Sequence, residues 1–199
     1  VCDDMINYFD TNKDKHVKTN NIIGKKGIVD DTRMSLDKYN KPKPFQNYCD
    51  QLDECLKKYK KKYEDSKKSP KIFLSRHTNL QKYNPGQGYH ASHCENAGGA
   101  DIFRLLAWMV YLNTVNDGGG TAFDNYGFET KAEEGSLLIW PAFWTHFHHG
   151  IVSPTETKYI ATGWYSYTNF LGVPTDQIDS IGIVEKGEKP PEGAIVVER

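Results

Sequence analysis

The stretch ADIFRLLAWMVYLN, residues 100–113, decides the fold. It is a short run rich in branched and aromatic residues, and three others share its character: KIFLSR (71–76), GSLLIWP (135–141) and TKYIATGWYSY (157–167). Turn-forming stretches separate them, namely NPGQG (84–88), NDGGGT (116–121), AEEG (132–135) and VSPTE (152–156). Branched and aromatic side chains fill a pleated, buried surface, while Gly, Pro, Asn and Asp punctuate the connections. The pattern predicts an all-β barrel or sandwich with buried strands. The closing stretch DSIGIVEKGEKPPEGAIVVER (179–199) reads either as two further short strands around a Pro-Pro-Glu-Gly turn or as a loosely held tail.

Before Pro70 the pattern differs. Residues 1–10 read as the end of a helix with Met5, Ile6, Tyr8 and Phe9 on its apolar side. Residues 11–44 are polar and read as loops with one short strand at Gly27-Ile28-Val29. From Phe45 the spacing becomes helical: Phe45, Tyr48, Leu52, Leu56, Tyr59 and Tyr63 recur every three or four positions. That is one apolar stripe on a helix of roughly five turns, closed by Ser69-Pro70. The run KKYKKKYEDSKK (57–68) reads as a solvated lysine face near a helix C-terminus, where cations suit the dipole; the alternative is a surface for nucleic acid or another anionic partner.

The chain has 199 residues and a net charge of −1, with 38% hydrophobic and 26% charged residues. This composition excludes a disordered chain. Residues 1–80 carry 18 Lys+Arg against 12 Asp+Glu, and residues 81–199 carry 7 against 14, so the two parts differ in sign at +6 and −7. That predicts two structural layers: an N-terminal helical and loop support region at 1–69 and a β core at 70–170, followed by an extension at 171–199. No apolar stretch is long enough to span a bilayer. The opening Val1-Cys2-Asp3-Asp4 has neither a basic nor an apolar leader segment, which predicts no signal peptide, although Val1 is an unusual first residue. Cys2, Cys49, Cys55 and Cys94 form no CxxC pair and read as free thiols of a reducing compartment. The expected location is cytoplasmic.

Two short segments hold five of the seven histidines. In GYHASHCEN (88–96), His93 and Glu95 are two apart, and on a strand such residues point to the same face. A second cluster follows at His146, His148 and His149. One histidine from it would complete a set of two His and one carboxylate, which holds non-haem Fe(II) on one face and leaves the opposite positions open. His90 falls on the other face from His93 by parity. His16 and His77 read as ordinary surface histidines.

The stretch Tyr83–Trp164, about two fifths of the chain, resembles the prolyl 4-hydroxylase group of Fe(II)- and 2-oxoglutarate-dependent dioxygenases, of the bacterial and phage type. The resemblance lies in YNPGQGYHASHCE (83–95), RLLAWMVYLN (104–113), GGGTAF (118–123), GSLLIWP (135–141) and then His148, Lys158 and Trp164, in the family's order. Two features depart from that pattern. Glu95 stands where the family has Asp, and the span from Tyr89 to His93 is one residue longer, with Ser92 at the position that the shorter spacing would give to the histidine.

The resemblance implies a double-stranded β-helix (jelly-roll) core that is mainly β with N-terminal helices. It implies Fe(II), 2-oxoglutarate and O2 as cofactor and cosubstrates, with ascorbate as an accessory. Iron would be held by His93, Glu95 and His148. His148 is chosen because the family's cosubstrate lysine lies ten residues after the distal histidine, and Lys158 lies ten after His148; His146 is the alternative. Lys158 would bind the C5 carboxylate of 2-oxoglutarate, with Tyr111 as a hydroxyl donor to the same group and Tyr83 as a cosubstrate-side donor. Arg104 and Trp164 would line the substrate mouth. Read from the residues themselves, Thr121 shapes the turn after the glycines, and Trp108, Trp140 and Trp144 are packing residues. The implied reaction hydroxylates a substrate C–H bond, with succinate and CO2 as co-products, and the implied substrate is a peptidyl proline. The rival readings are the same fold acting on another side chain or small molecule, or a non-enzymatic β-barrel binding metal or sugar. Lys158, in place of arginine, argues against a nucleic-acid demethylase.

Overall fold

The protein is described from a computed structural model covering residues 1–23 and 26–167; the expected C-terminal extension and its two candidate strands lie outside the described residues. Helix α1 spans Cys2–Thr11 and α2 spans Lys43–Lys62. Ten strands follow the order β1 Val17–Ile23, β2 Lys26–Asp37, β3 Ile72–Leu74, β4 His77–Tyr83, β5 Arg104–Tyr111, β6 Thr121–Phe123, β7 Phe128–Glu129, β8 Leu137–Pro141, β9 His148–Gly150 and β10 Lys158–Tyr167. All pairings are antiparallel. The larger sheet runs β1-β2-β4-β10-β5-β8, with β3 also paired to β10, and the smaller runs β7-β6-β9. This is the expected double-stranded β-helix, with helices on one side.

The run at 104–113 is apolar throughout because β5 is buried on both faces. Leu106, Trp108 and Val110 point outward into a core shared with Met5 and Phe9 of α1 and with Phe45, Tyr48 and Leu52 of α2. Ala107, Met109 and Tyr111 point inward against Phe123 and Trp140. β10 alternates in the same way. Ala161 and Tyr165 join the helix-side core, while Lys158, Ile160, Thr162 and Trp164 line the interior cavity. Between them Gly163 admits the Trp108 ring, since a Cβ there would stand 2.6 Å from Trp108 Cζ2.

The helical stripe of α2 folds as its spacing predicts, burying Phe45, Tyr48, Cys49 and Leu52 and ending with Lys60, Lys61 and Lys62 in its last turn. The helix stops at Lys62, and residues 64–68 form a tighter 3-10 turn before Pro70. Residues 11–44 correct the loop reading. They hold the β1–β2 hairpin, and β2 extends the large sheet by pairing with β4 from Thr32↔Lys82 to Asp37↔His77. Trp144 also corrects its reading: it is 73% exposed and packs no core.

Candidate metal and cosubstrate site

Two backbone segments bring the metal-ligand candidates together. His93 does not lie on a regular strand, as the parity argument assumed. It forms a single antiparallel bridge with His148 at the start of β9, through His93 N–H to His148 O at 3.0 Å and His148 N–H to His93 O at 2.9 Å. Directly opposed residues of an antiparallel pair project to one side, and the two imidazoles stand 4.3 Å apart. Tyr89 stacks on His93 at 3.8 Å and fixes its plane.

Each ring is held in one tautomer. Nδ1 of His93 donates to Ala91 O, and Nδ1 of His148 donates to His146 O, both at 2.9 Å. That leaves both Nε2 lone pairs facing inward, the state a metal needs. Glu95 Oε1 lies 3.5 Å from His93 Nε2 and 3.3 Å from His148 Nε2. One ligand atom from each residue fits within 4.8 Å of the others. Burial alone would raise the Glu95 carboxyl; with no metal bound and protons on the two Nε2 atoms instead, hydrogen bonds from His148 and His93 and their charges hold it well below the usual carboxylate range, so Glu95 is a carboxylate in either state. Two imidazoles and one carboxylate on one side of a cavity form the donor set for Fe(II) with open positions.

The other histidines point elsewhere. His146 is half-buried and bonded to Thr145 Oγ1 and Tyr126. His149 bonds Asp124, which Ser92 also contacts. His90 bonds Asp30 at 2.9 Å.

From this triad a cavity of about 480 Å³ runs inward to Lys158. Lys158 is 5% exposed, and its Nζ donates to Gly119 O at 3.0 Å and lies 5.0 Å from the Tyr83 ring. Burial lowers its pKa to about 8. A buried ammonium with one carbonyl acceptor and no counter-charge among the described residues suits an incoming carboxylate. The glycine run positions that carbonyl: Gly119 has φ +75°, and a Cβ on Gly120 would meet Thr130 O at 1.9 Å.

Tyr83 lines this end, and its oxygen accepts from Gln81 Nε2 at 3.0 Å, so its proton remains available to donate. Burial and the nearby Asp31 push the hydroxyl well above its ordinary pKa, keeping it neutral. The Tyr111 hydroxyl bonds Thr121 Oγ1 at 2.8 Å and Thr130 Oγ1 at 2.7 Å. Thr121 stands on the cavity wall, so Tyr111 reaches the cavity through it.

Arg104 and Trp164 surround Glu95. Trp164 Nε1 donates to Glu95 Oε2 at 2.7 Å. The Arg104 guanidinium lies 3.7 Å over the Trp164 ring, donates to Glu95 O at 3.1 Å and pairs with Asp101 at 2.8 Å. Both residues also line the cavity.

The sequence reading missed Asn79, Gln81 and Thr162, which line the same cavity. Their signal was present, since each is an even number of residues from Tyr83 or Lys158 on the same strand. Arg33 and Asp31 carried no such signal.

Residues 78–166 match the family model of the 2OG-Fe(II) oxygenase superfamily. No curated protein matches the sequence. Among solved structures, the chain is similar to a prolyl hydroxylase from Trichoplax adhaerens, in complex with a hypoxia inducible factor oxygen degradation domain peptide fragment; identity is 17%, 83% of this chain and 76% of that chain are covered, and the TM-score is 0.63. It is also similar to a Pseudomonas putida prolyl-4-hydroxylase (16% identity, 83% and 88% covered, TM-score 0.58). A third is the viral collagen prolyl hydroxylase of Paramecium Bursaria Chlorella virus-1, in its 2OG complex (21% identity, 84% and 90% covered, TM-score 0.57). The convergent triad, the buried lysine behind it and the superfamily match lead to one conclusion: residues 78–166 form a 2-oxoglutarate- and Fe(II)-dependent oxygenase domain, built on the fold seen in prolyl hydroxylases.

Proposed function

We propose that this enzyme hydroxylates proline in a peptide or protein. The observation that carries the reading is one cavity holding His93, Glu95 and His148 together with the buried cation of Lys158 at its inner end, which meets no counter-charge among the described residues. Three structural relatives are prolyl hydroxylases, and one of them is in complex with a peptide fragment.

In this reading His93, Glu95 and His148 hold Fe(II) through their inward Nε2 and Oε1 atoms. Lys158 pairs with the C5 carboxylate of 2-oxoglutarate, and Tyr83 donates its free hydroxyl proton on the cosubstrate side. Thr121 lines the inner end, with Tyr111 behind it. Arg104 and Trp164 frame the outer end, where substrate approaches. Fe(II) and 2-oxoglutarate, when bound, would supply an oxidant from O2, with one oxygen atom entering the substrate C–H bond and the other entering succinate as CO2 leaves. The walls exclude water from that oxidant. All four cysteines are unpaired, which supports a reducing compartment such as the cytoplasm. No helix among the described residues is long and apolar enough to cross a membrane.

The test is a panel of proline-containing peptides incubated with enzyme, Fe(II), 2-oxoglutarate, O2 and ascorbate. Succinate release coupled to one added oxygen on a proline is the expected result. Oxygen added only to another residue, or coupling only to a small molecule, would overturn the proline assignment and leave the oxygenase domain standing.

A further inference from the structure

One wall of the cavity comes from outside the oxygenase match. Arg33 lies on β2, and residues 78–166 are the matched segment. The register aligns Arg33 with Gln81 and then Ile160, and aligns Ser35 with Asn79 and then Thr162. Arg33, Gln81, Asn79 and Thr162 all line the cavity that holds the triad. The inward face of the β2–β4–β10 sheet is therefore polar beside the metal ligands.

This wall is held in place from behind. Asp31 has a fully buried side chain, and it accepts from Arg33 Nε at 3.0 Å and Nη2 at 2.8 Å. Gln81 Nε2 also donates to Asp31 and to the Tyr83 hydroxyl. Two bonds fix the guanidinium plane, which leaves Nη1 without a partner among the described residues. The side-chain amide of Asn79 likewise has no partner among them, and it neutralises no charge. The hydroxyl of Thr162 donates away from the cavity, to Trp108 O at 2.9 Å, leaving its lone pairs.

Charge decides what this wall can receive. Lys158 has no counter-ion among the described residues and suits a carboxylate. The charge of Arg33 is already matched by Asp31, so the wall is neutral overall and offers directed donors and acceptors. An Asn amide presents one acceptor and two donors in a plane, which complements the C=O and N–H of a main-chain amide. A wall of pre-oriented neutral hydrogen-bonding groups suits a peptide backbone better than an anion.

We infer that Arg33 and Asn79 form a subsite for the main chain of a peptide substrate, with Arg33 Nη1 and the Asn79 amide bonding a backbone amide next to the hydroxylated residue. The inference rests on the peptide reading given above. It makes β2 a specificity element supplied by the N-terminal part of the chain.

The test is peptide affinity for the full chain loaded with Mn(II) and 2-oxoglutarate, measured by titration rather than turnover. Asn79→Ala and Arg33→Lys are compared with wild type; the lysine keeps a cation for Asp31 while removing Nη1. Each peptide is also made with one backbone amide at a time replaced by an ester. In wild type, one ester near the target proline should weaken binding about tenfold, the scale of one lost hydrogen bond in a desolvated site. In Asn79→Ala the same ester should cost nothing further, because the partner is already gone. Ester and mutant losses that add at every position overturn the inference. So does a loss reproduced by neutralising an acidic side chain of the peptide, since Arg33 would then be reading a carboxylate. A wild-type enzyme that hydroxylates peptides normally yet shows neither effect overturns the subsite alone; one that binds and hydroxylates no peptide overturns the peptide reading and the subsite with it.

Discussion

Trp164 Nε1 donates to Glu95 Oε2 at 2.7 Å, and Glu95 Oε1 faces His93 and His148. The carboxylate is divided between two tasks, with one oxygen held by the indole and one left for a metal. Glu95 has one more torsion than the aspartate its position would ordinarily carry, and ordering it costs more side-chain entropy. The indole, stacked under Arg104 at 3.7 Å, removes that freedom.

Trp164→Phe should therefore weaken metal binding while keeping a ring beneath Arg104. The expected loss is about 10–100-fold in affinity, the scale for removing a group that orients a metal ligand. An anaerobic Fe(II) titration, or a Mn(II) titration followed by electron paramagnetic resonance, measures it. Wild-type affinity in this variant would show that Glu95 orients itself.

Lys158 gives the enzyme a pH dependence. Its pKa in the fold is about 8, below the ordinary lysine value of about 10.4. Between those values the unfolded chain binds more protons than the folded one, so without 2-oxoglutarate this lysine makes stability rise with pH across that window. In the proposed arrangement, binding of the dianion runs the other way, because pairing with Lys158 needs the ammonium. Affinity for 2-oxoglutarate should be flat below about pH 8 and fall about tenfold per unit above it. Lys158→Met should bind at least about thirtyfold more weakly, about 2 kcal/mol for a lost buried charge partner, and should lose the pH dependence. Calorimetric titration of the Mn(II) form from pH 7 to 9.5 tests both; an unchanged affinity in Lys158→Met would separate the lysine from the cosubstrate.

Parts of this site were legible in the sequence for physical reasons. β10 is a regular strand, so the alternation that sends Lys158 and Trp164 inward can be counted along the chain, and the bridge that pairs His148 with His93 sets the two imidazoles side by side whatever the coil between them does. The β2 strand was not legible because its inward side chains, Asp31 and Arg33, are polar and serve the cavity, while its outward face buries only Met34 and Leu36 at that end. No period-two apolar signal survives such a strand. Tyr111 shows a different limit. Its place on β5 points it inward, but residue type and spacing cannot reveal that Thr121 stands between its hydroxyl and the cavity. Trp144 was read as a packing residue from its type alone, and an aromatic residue in a short 3-10 turn carries no such guarantee.

The last prediction concerns the ligand register in GYHASHCEN, where the chain has one residue more than the family spacing. The structure absorbs it without moving the triad. His90 turns away to Asp30, Ser92 contacts Asp124, and His93 pairs with His148. His90→Ala should then keep one metal ion per chain at wild-type affinity, losing at most about 1 kcal/mol of stability from a partly exposed hydrogen bond. His93→Ala and His148→Ala should each lose measurable binding, because two donors cannot hold Fe(II) against water here. Glu95→Asp is the informative intermediate. Its carboxylate is one bond shorter, so it cannot reach both the metal position and the Trp164 indole, and its metal affinity should fall about tenfold or more. Elemental analysis after dialysis gives the stoichiometry, and competitive titration gives the affinities. Metal lost in His90→Ala and retained in Glu95→Ala would move the near ligands to His90 and His93 and overturn the triad.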